Sequence, residues 1–408
     1  MNKKILIIVE NLPVPFDSRV WKEACALHKD GYSVSVLCPQ GKGYSKGYEL
    51  LEGIHVYRHP MPREGNSTVG YLWEYGSALL WEFFYAWWIF LRRGFHVIQG
   101  CNPPDNIFMV ALPFKLFGVK YIFDHHDANP ELYLSKYEKK GMFYKIQVWL
   151  EKMTFRFSDV AMATNESYKR LAVDRGGLSP DDVFVVRNGP DLETFKPVPA
   201  KPELKHGKSY LVGYVGTMSI QEGLDILIDV AKYIRDNGRR DVHFTCVGGG
   251  PGLGGLRQMV KDKQVEDTIN FTGRIPDAEL LDILCTADVC VNPDKPCQMN
   301  NISTMIKIME YMALSKPIVQ FDLLEGRFSA GESARYSENE GDLVANFAAK
   351  ILWLLDHPAE RKRMGEIGRK RVEETLAWEY SIDNLLAAYR RVFNKDSKKT
   401  ATLAAGVQ

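Results

Sequence analysis

The chain has 408 residues, a formal net charge of +1 and 25% charged residues, enough length for two domains with large cores. The near-neutral balance gives no global field for nucleic acid, which is excluded as a partner. Its seven cysteines (Cys25, Cys38, Cys101, Cys246, Cys285, Cys290 and Cys297) are dispersed, without a C-x-x-C pair. That excludes a disulfide framework and a cysteine zinc site, and it fits a cytoplasmic protein.

Residues 4–9 form an apolar run that predicts a first buried strand rather than a signal peptide, because Glu10 ends it after five apolar residues. A loop with Pro13 and Pro15 follows, then a helix over 18–29, Gly31 as its stop, and a strand over 33–38. Further strands are predicted at 97–99, 121–124, 160–164 and 183–186. This alternation predicts a parallel sheet covered on both faces, with ligands bound beyond the carboxyl ends of its strands. The loops 10–19, 100–105, 124–130 and 188–191 lie at such ends.

After a Pro- and Lys-rich stretch over 196–208 the pattern begins again. Strands are predicted at 211–215, 243–247, 269–272 and 289–293, with helices over 224–237 and 279–285. The expected organisation is a first lobe over 1–195, a linker over 196–208 and a second lobe over 209–377. A terminal helix over 378–393 returns to the first lobe, and 394–408 is a flexible tail.

Two segments stand apart. Residues 69–91 hold Trp73, Trp81, Trp87 and Trp88, but Glu74 and Glu82 argue against a membrane span. Residues 135–157 carry Lys136, Lys139, Lys140, Lys145, Lys152 and Arg156 among aromatics, against Glu138 and Glu151. Both suit an anionic membrane surface, or ordinary packing with a solvated basic face.

The chemical signals concentrate in 300–319. Ser303 and Thr304 offer a helix cap; Ile308, Met309, Met312 and Ala313 recur at helical spacing; Pro317 closes the segment. Lys307 and Glu310 share one face, which suits diphosphate at the helix N-terminus and lysine and a sugar diol at the carboxylate, or else a surface ion pair. Residues 250–255 match G-x-G-x-x-G, but Asp267 comes too early to be the ribose acid of a dinucleotide site. His125 and His126 point in opposite directions from an extended chain, so one at most faces a ligand. Asp17, Arg19 and Asp105 sit at strand-end loops, where each binds a polar substrate or ties its own loop.

Together, F-D-S-R-V-W-K-E-A, D-H-H-D-A-N-P-E-L, V-V-R-N-G-P-D, E-Y-M-A-L-S-K-P-I-V and F-D-L-L-E-G-R-F-S-A-G resemble the retaining glycosyltransferases of family 4, in particular bacterial members that build surface polysaccharide. The resemblance implies an α/β fold of two Rossmann-like lobes with parallel sheets facing a central cleft (GT-B type). It implies transfer from a nucleotide sugar to a glycan or polyprenyl-linked acceptor, on the inner face of the cell membrane. Glu310 is similar to the ribose-holding glutamate, Lys307 to a diphosphate contact, Gly216 to a phosphate-approaching glycine and His126 to the histidine on the donor sugar. Asn188, Thr217 and Thr304 complete the implied donor set, and Asp17, Arg19 and Asp105 the acceptor set. The chain departs from the pattern at Ile302, in place of a glutamate, and at Thr217 and Glu222, in place of arginine and lysine. Arg274 and Arg327 are candidate helpers for the phosphate. No divalent metal is expected, because no acidic pair at ligand spacing flanks the diphosphate site. A sugar-nucleotide epimerase and a non-catalytic sugar-nucleotide-binding protein are the alternative readings.

Overall fold

The run Lys4–Val9 (β1) is buried along nearly its whole length, as a parallel strand covered on both faces must be. A computed structural model describes the backbone of residues 3–61 and 68–405 and the side chains of 3–61 and 76–394. β1 lies inside a sheet with β2 (Ser33–Pro39), β3 (Tyr48–Leu51), β4 (Ile54–His59), β5 (Val97–Cys101), β6 (Lys120–His125), β7 (Val160–Ala163) and β8 (Val183–Val185). The order is β3-β4-β2-β1-β5-β6-β7-β8. Ile5 lies opposite Val34 on one side and Val97 on the other. All pairings are parallel except β3 on β4, an edge hairpin turned at Glu52 and Gly53, both with positive φ. The sequence pattern missed this hairpin because its outer strand is short and half exposed.

Helices α1 (Ser18–Lys29), α2 (Thr68–Arg93), α3 (Phe108–Lys115), α4 (Asn129–Tyr137), α5 (Met142–Phe157) and α6 (Glu166–Asp174) connect these strands. Trp73 and Glu74 lie outside the described side chains.

The chain divides into one unit of Met1–Asn188 with Ser381–Gln408, and a second of Gly189–Tyr380. The boundary therefore falls before the expected linker. Residues 196–208 belong to the second unit, because Lys201 pairs with Asp282 (2.6 Å) and Lys205 with Asp288 (2.8 Å).

The second unit repeats the architecture with β9 (Tyr210–Val215), β10 (Val242–Val247), β11 (Ile269–Gly273), β12 (Val289–Asn292), β13 (Ile318–Phe321) and β14 (Ala334–Ser337), all parallel, in the order β11-β10-β9-β12-β13-β14. Its helices are α7 (Leu224–Asp236), α8 (Leu253–Asp262), α9 (Asp277–Thr286), α10 (Gln298–Ile302), α11 (Ile306–Ala313), α12 (Leu324–Ala330), α13 (Leu343–Asp356) and α14 (Pro358–Arg371). Alternate residues of β9 feed two cores: Val212 and Tyr214 join Leu227, Phe244 and Phe347, whereas Leu211 joins Cys290, Ile308 and Met312.

The last helix, α15 (Trp378–Ala405), returns to the first unit. Asn384 donates to the Val185 carbonyl (2.9 Å), Arg391 pairs with Asp182 (2.8 Å) and Tyr389 bonds Gln99. The tail expected from residue 394 continues as helical backbone to Ala405, and its side chains beyond Asn394 lie outside those described.

Candidate active site

In the first unit a buried network gathers at the ends of β5 and β6. Asp17 caps α1, accepting from the Val20 N–H (3.1 Å). Arg19, 5% exposed, donates to Asp124 (2.7 Å) and to the Val186 carbonyl (2.8 Å), and lies 3.1 Å from Glu23 one turn along α1. Asp124 holds His126 through Nε2 (2.6 Å) and accepts from Gln99 (3.1 Å). The Gln99 amide also donates to Glu23 (2.7 Å), and its carbonyl accepts from the Tyr389 hydroxyl.

The His126 backbone N–H is fixed by Asn102 Oδ1 (2.6 Å), and the Asn102 amide donates to Asp105 (2.8 Å), which also accepts from Asn129 (2.9 Å). Asp17, Arg19 and Asp105, expected on an acceptor, are thus buried and bonded within the unit. The reason is local: strand-end loops leave backbone and charged groups that these side chains satisfy.

Burial alone would raise the Asp124 pKa, but Arg19 and His126 hold the carboxyl well below its ordinary range. Burial would lower His126; Asp124 outweighs it and the imidazole sits above its ordinary pKa. Glu23 is pushed up to about 8 by burial and then by Asp124. His125 is enclosed by Phe123, Phe155 and Tyr168, and burial takes it down to about 3. Of the adjacent pair, His126 is the one that keeps exposure, 14% of its side chain. Cys101 Sγ, an Asp124 oxygen and a His126 nitrogen lie within 4.8 Å of one another. Arg19 already sets a positive charge on that carboxylate, which opposes a cation there.

In the second unit the corresponding region surrounds Lys307. Gly216 follows β9 with φ +157°, and a Cβ there would lie 2.6 Å from the Tyr214 hydroxyl and 3.5 Å from the Lys307 ammonium, so glycine is what lets the turn pass this close. Lys307, the second residue of α11 and 8% exposed, pairs with Glu222 (2.5 Å) and Asp294 (2.9 Å). The Tyr214 hydroxyl stands 3.0 Å from Glu222, and the ammonium lies 4.8 Å from the Tyr214 ring centre. Burial raises Asp294 to about 7, even against the pull of Lys307. Glu222, with the shorter contact, stays below its ordinary pKa although burial opposes it. Lys307 is raised: burial lowers it, and the two carboxylates outweigh burial.

Two expectations are corrected here. An acidic pair does flank Lys307; Glu222 and Asp294 are far apart in sequence and meet only in the fold. Of the two readings of Lys307, the solvated surface pair does not describe it, because it sits in a buried ion triad. Ser303 and Thr304 do not cap α11: the N-cap is Met305, without a side-chain bond, and the Ser303 hydroxyl turns back to the Met299 carbonyl (2.8 Å). Thr304, Glu310 and Asn188 are partly buried, Thr217 is exposed, and Asn188 accepts from Lys22 (3.1 Å). Arg327, a candidate phosphate helper, is engaged by Asp322 through two contacts of 2.6 and 2.5 Å.

The glycine run serves as a seam between loops. Met218 N–H donates to the Gly249 carbonyl (3.0 Å) and Gly252 N–H to the Met218 carbonyl (2.8 Å). A Cβ on Gly248 would stand 1.9 Å from the Gly216 carbonyl oxygen. The residues that sequence reasoning missed are Asp124, Gln99 and Tyr389 in the first unit, and Tyr214 and Asp294 in the second. Only Asp124, inside the D-H-H-D string, carried a local signal.

The family described as "Glycosyl transferases group 1" matches residues 209–357, and the "Glycosyl transferase 4-like domain" matches 17–189. A D-inositol 3-phosphate glycosyltransferase of Kineococcus radiotolerans is 27% identical over 59% of this chain, and the match spans 59% of that relative's length. Sucrose-phosphate synthase from Thermosynechococcus elongatus has a similar fold, with TM-score 0.78, 17% identity and coverage of 97% of this chain and 100% of that one. HepE of Anabaena, solved in complex with UDP and glucose, matches with TM-score 0.71 and 15% identity over 95% of this chain and 100% of its own.

Proposed function

This chain belongs to the glycosyl transferases of group 1, with a family-4-like first domain, and from that premise we propose that it moves a hexose from a nucleotide sugar to a glycan or polyprenyl-linked acceptor with retention of configuration. Surface polysaccharide synthesis at the inner face of the cell membrane is the setting this reading favours. The observation that carries it is the buried ammonium of Lys307 beside the Gly216 turn. As the bond from anomeric carbon to diphosphate stretches, the sugar becomes oxocarbenium-like and negative charge grows on phosphate. In this reading Lys307 meets that charge more strongly in the transition state than in the ground state. Glu310 holds the ribose, and His126, oriented by Asp124 and Asn102, contacts the sugar. No divalent ion is required in this reading, because the ammonium occupies the space between Glu222 and Asp294 that a cation would take.

A thermal-shift panel of nucleoside diphosphates tests the reading; a ligand at about 100 times its Kd adds roughly 2.7 kcal/mol. Product analysis with and without acceptor separates transfer from epimerisation, and the anomer formed reports retention. Full loss of transfer in chelator, restored by magnesium or manganese, would overturn the metal-free reading. One observation favours a second reading, a non-catalytic sugar-nucleotide-binding protein: the charge of Lys307 is already balanced by two carboxylates. Diphosphate binding without turnover would establish that alternative.

A further inference from the structure

Helices α2, α3 and α5 form one side of the first unit: Trp87 packs on Phe114 (4.6 Å between ring centres) and Phe108 stacks on Phe157 (5.5 Å). α5 buries Glu151, Thr154 and Phe155. Its other face leaves Met142 78%, Phe143 48%, Ile146 44% and Trp149 53% exposed. Met142, Ile146 and Trp149 are spaced four and three apart, so they make one outward stripe. Single exposed apolar residues are ordinary; a stripe of bulky ones at helical spacing marks an interaction surface.

Charge decides what covers it. Lys139, Lys140, Lys145, Lys152 and Arg156 are exposed around the stripe, and within 138–157 the exposed acid is Glu138. Lysine-rich borders are depleted in protein–protein interfaces, whereas apolar and aromatic side chains flanked by lysine suit the headgroup boundary of an anionic bilayer. α2, packed on the far side of α3, also leaves Leu80, Phe84, Trp88 and Leu91 exposed at helical spacing. Among the described residues no helix is long and apolar enough to cross a membrane, so the fitting geometry is a helix lying in the interface.

We propose that the outward face of α5 docks the protein on an anionic lipid surface, with Met142, Phe143, Ile146 and Trp149 entering the headgroup boundary and the lysines meeting lipid phosphates. This deepens the transferase reading, since a lipid-linked acceptor is reached at such a surface. The docking itself is measured without donor or acceptor. The full chain is sedimented with vesicles of phosphatidylcholine alone or mixed with phosphatidylglycerol. Partition onto the mixed vesicles is expected at low salt, with release as salt rises. Each basic residue near such a surface contributes about fivefold, so Lys139→Glu/Lys140→Glu/Lys145→Glu should lose at least ~100-fold in partition. Ile146→Asp/Trp149→Asp should lose binding even at low salt. Both variants alter exposed positions, and unchanged circular dichroism and melting temperature confirm their folding. Equal binding to both vesicle types, no binding, or binding indifferent to either variant overturns the proposal. So does a wild-type dimer that Trp149→Asp makes monomeric without vesicles, which assigns the stripe to a second copy of this chain. A failed nucleotide thermal shift with intact vesicle binding would strike the transferase reading alone.

Discussion

In each unit a buried cation sits between two carboxylates near the ends of parallel strands, and the two arrangements differ in geometry. Arg19 sits with Glu23 and Asp124; Lys307 sits with Glu222 and Asp294. In the first case the planar guanidinium spans several acceptors, including the Val186 carbonyl, and one of its carboxylates passes the constraint on to His126. In the second the compact ammonium lies near the glycine turn, behind the Tyr214 hydroxyl, which stands on the same Glu222 carboxylate. The fork geometry of arginine suits a strut, and the point charge of lysine suits meeting a charged ligand. The same local chemistry therefore positions a neighbour in one unit and, in the proposed reading, holds the charge that meets the diphosphate in the other.

The strongest way to break that comparison is Asp124→Asn. It leaves a buried guanidinium short of its main partner, which should cost about 3–5 kcal/mol, read as a shift in the urea midpoint. The same change at Asp294 should cost far less, because Glu222 still neutralises Lys307 and Asp294 itself titrates at about 7. Its folded pKa lies above the unfolded value of roughly 3.8, so the folded state binds the extra proton and this group's contribution to stability falls as pH rises from about 4 to about 7. Asp294→Asn should flatten that slope. Equal losses for the two variants would show that both clusters are struts.

Kinetics sharpen the contrast next. Lys307→Ala should lower kcat by about 10²–10³-fold, or roughly 2.7–4 kcal/mol, as expected for loss of an electrostatic stabiliser. Glu310→Ala removes a contact made before and during reaction alike, so it should raise the donor KM with kcat little changed. Wild-type rate and donor affinity in both variants would reduce α11 to a core helix.

Much of this was legible in sequence. The strands β1, β2, β5, β6 and β9 to β12 announce themselves as short apolar runs, because a doubly covered parallel strand has no exposed face to break the run. The β3–β4 edge gave no such signal. Lys307 stood out by its place three residues before Glu310 on one short helix, whereas Gly216 and the choice of His126 over His125 came from the family resemblance. Their partners were hidden: Asp294 and Gln99 are ordinary residues until the sheet order brings them beside Lys307 and Asp124. Of the two readings of Arg19, ligand contact or a tie within its own unit, the sequence could not choose for the same reason. A strand-end arginine looks available for a ligand until the fold supplies two buried carboxylates.

The smallest predicted effect tests how far the first network reaches. Tyr389, on α15, donates to the Gln99 carbonyl, and that bond fixes which end of the amide faces Asp124 and Glu23. Tyr389→Phe keeps the ring in its packing against Tyr32 (5.7 Å between centres) and removes only the hydroxyl. The buried carbonyl then lacks its donor, and the amide is free to turn away from Asp124. A loss of about 1–2 kcal/mol is expected, within the usual range for one unmade buried hydrogen bond. A purely local bond would stop there. If the network is continuous, the His126 titration followed by NMR should also move, because the charge balance on Asp124 changes with the amide. His126 is raised in the folded state, so its contribution to stability is complete below its unfolded pKa of about 6.5 and fades as pH rises through the folded value. Tyr389→Phe should shift that window, while the titration of Asp294 in the other unit stays where it was. An unmoved His126 curve would confine Tyr389 to holding α15 in place.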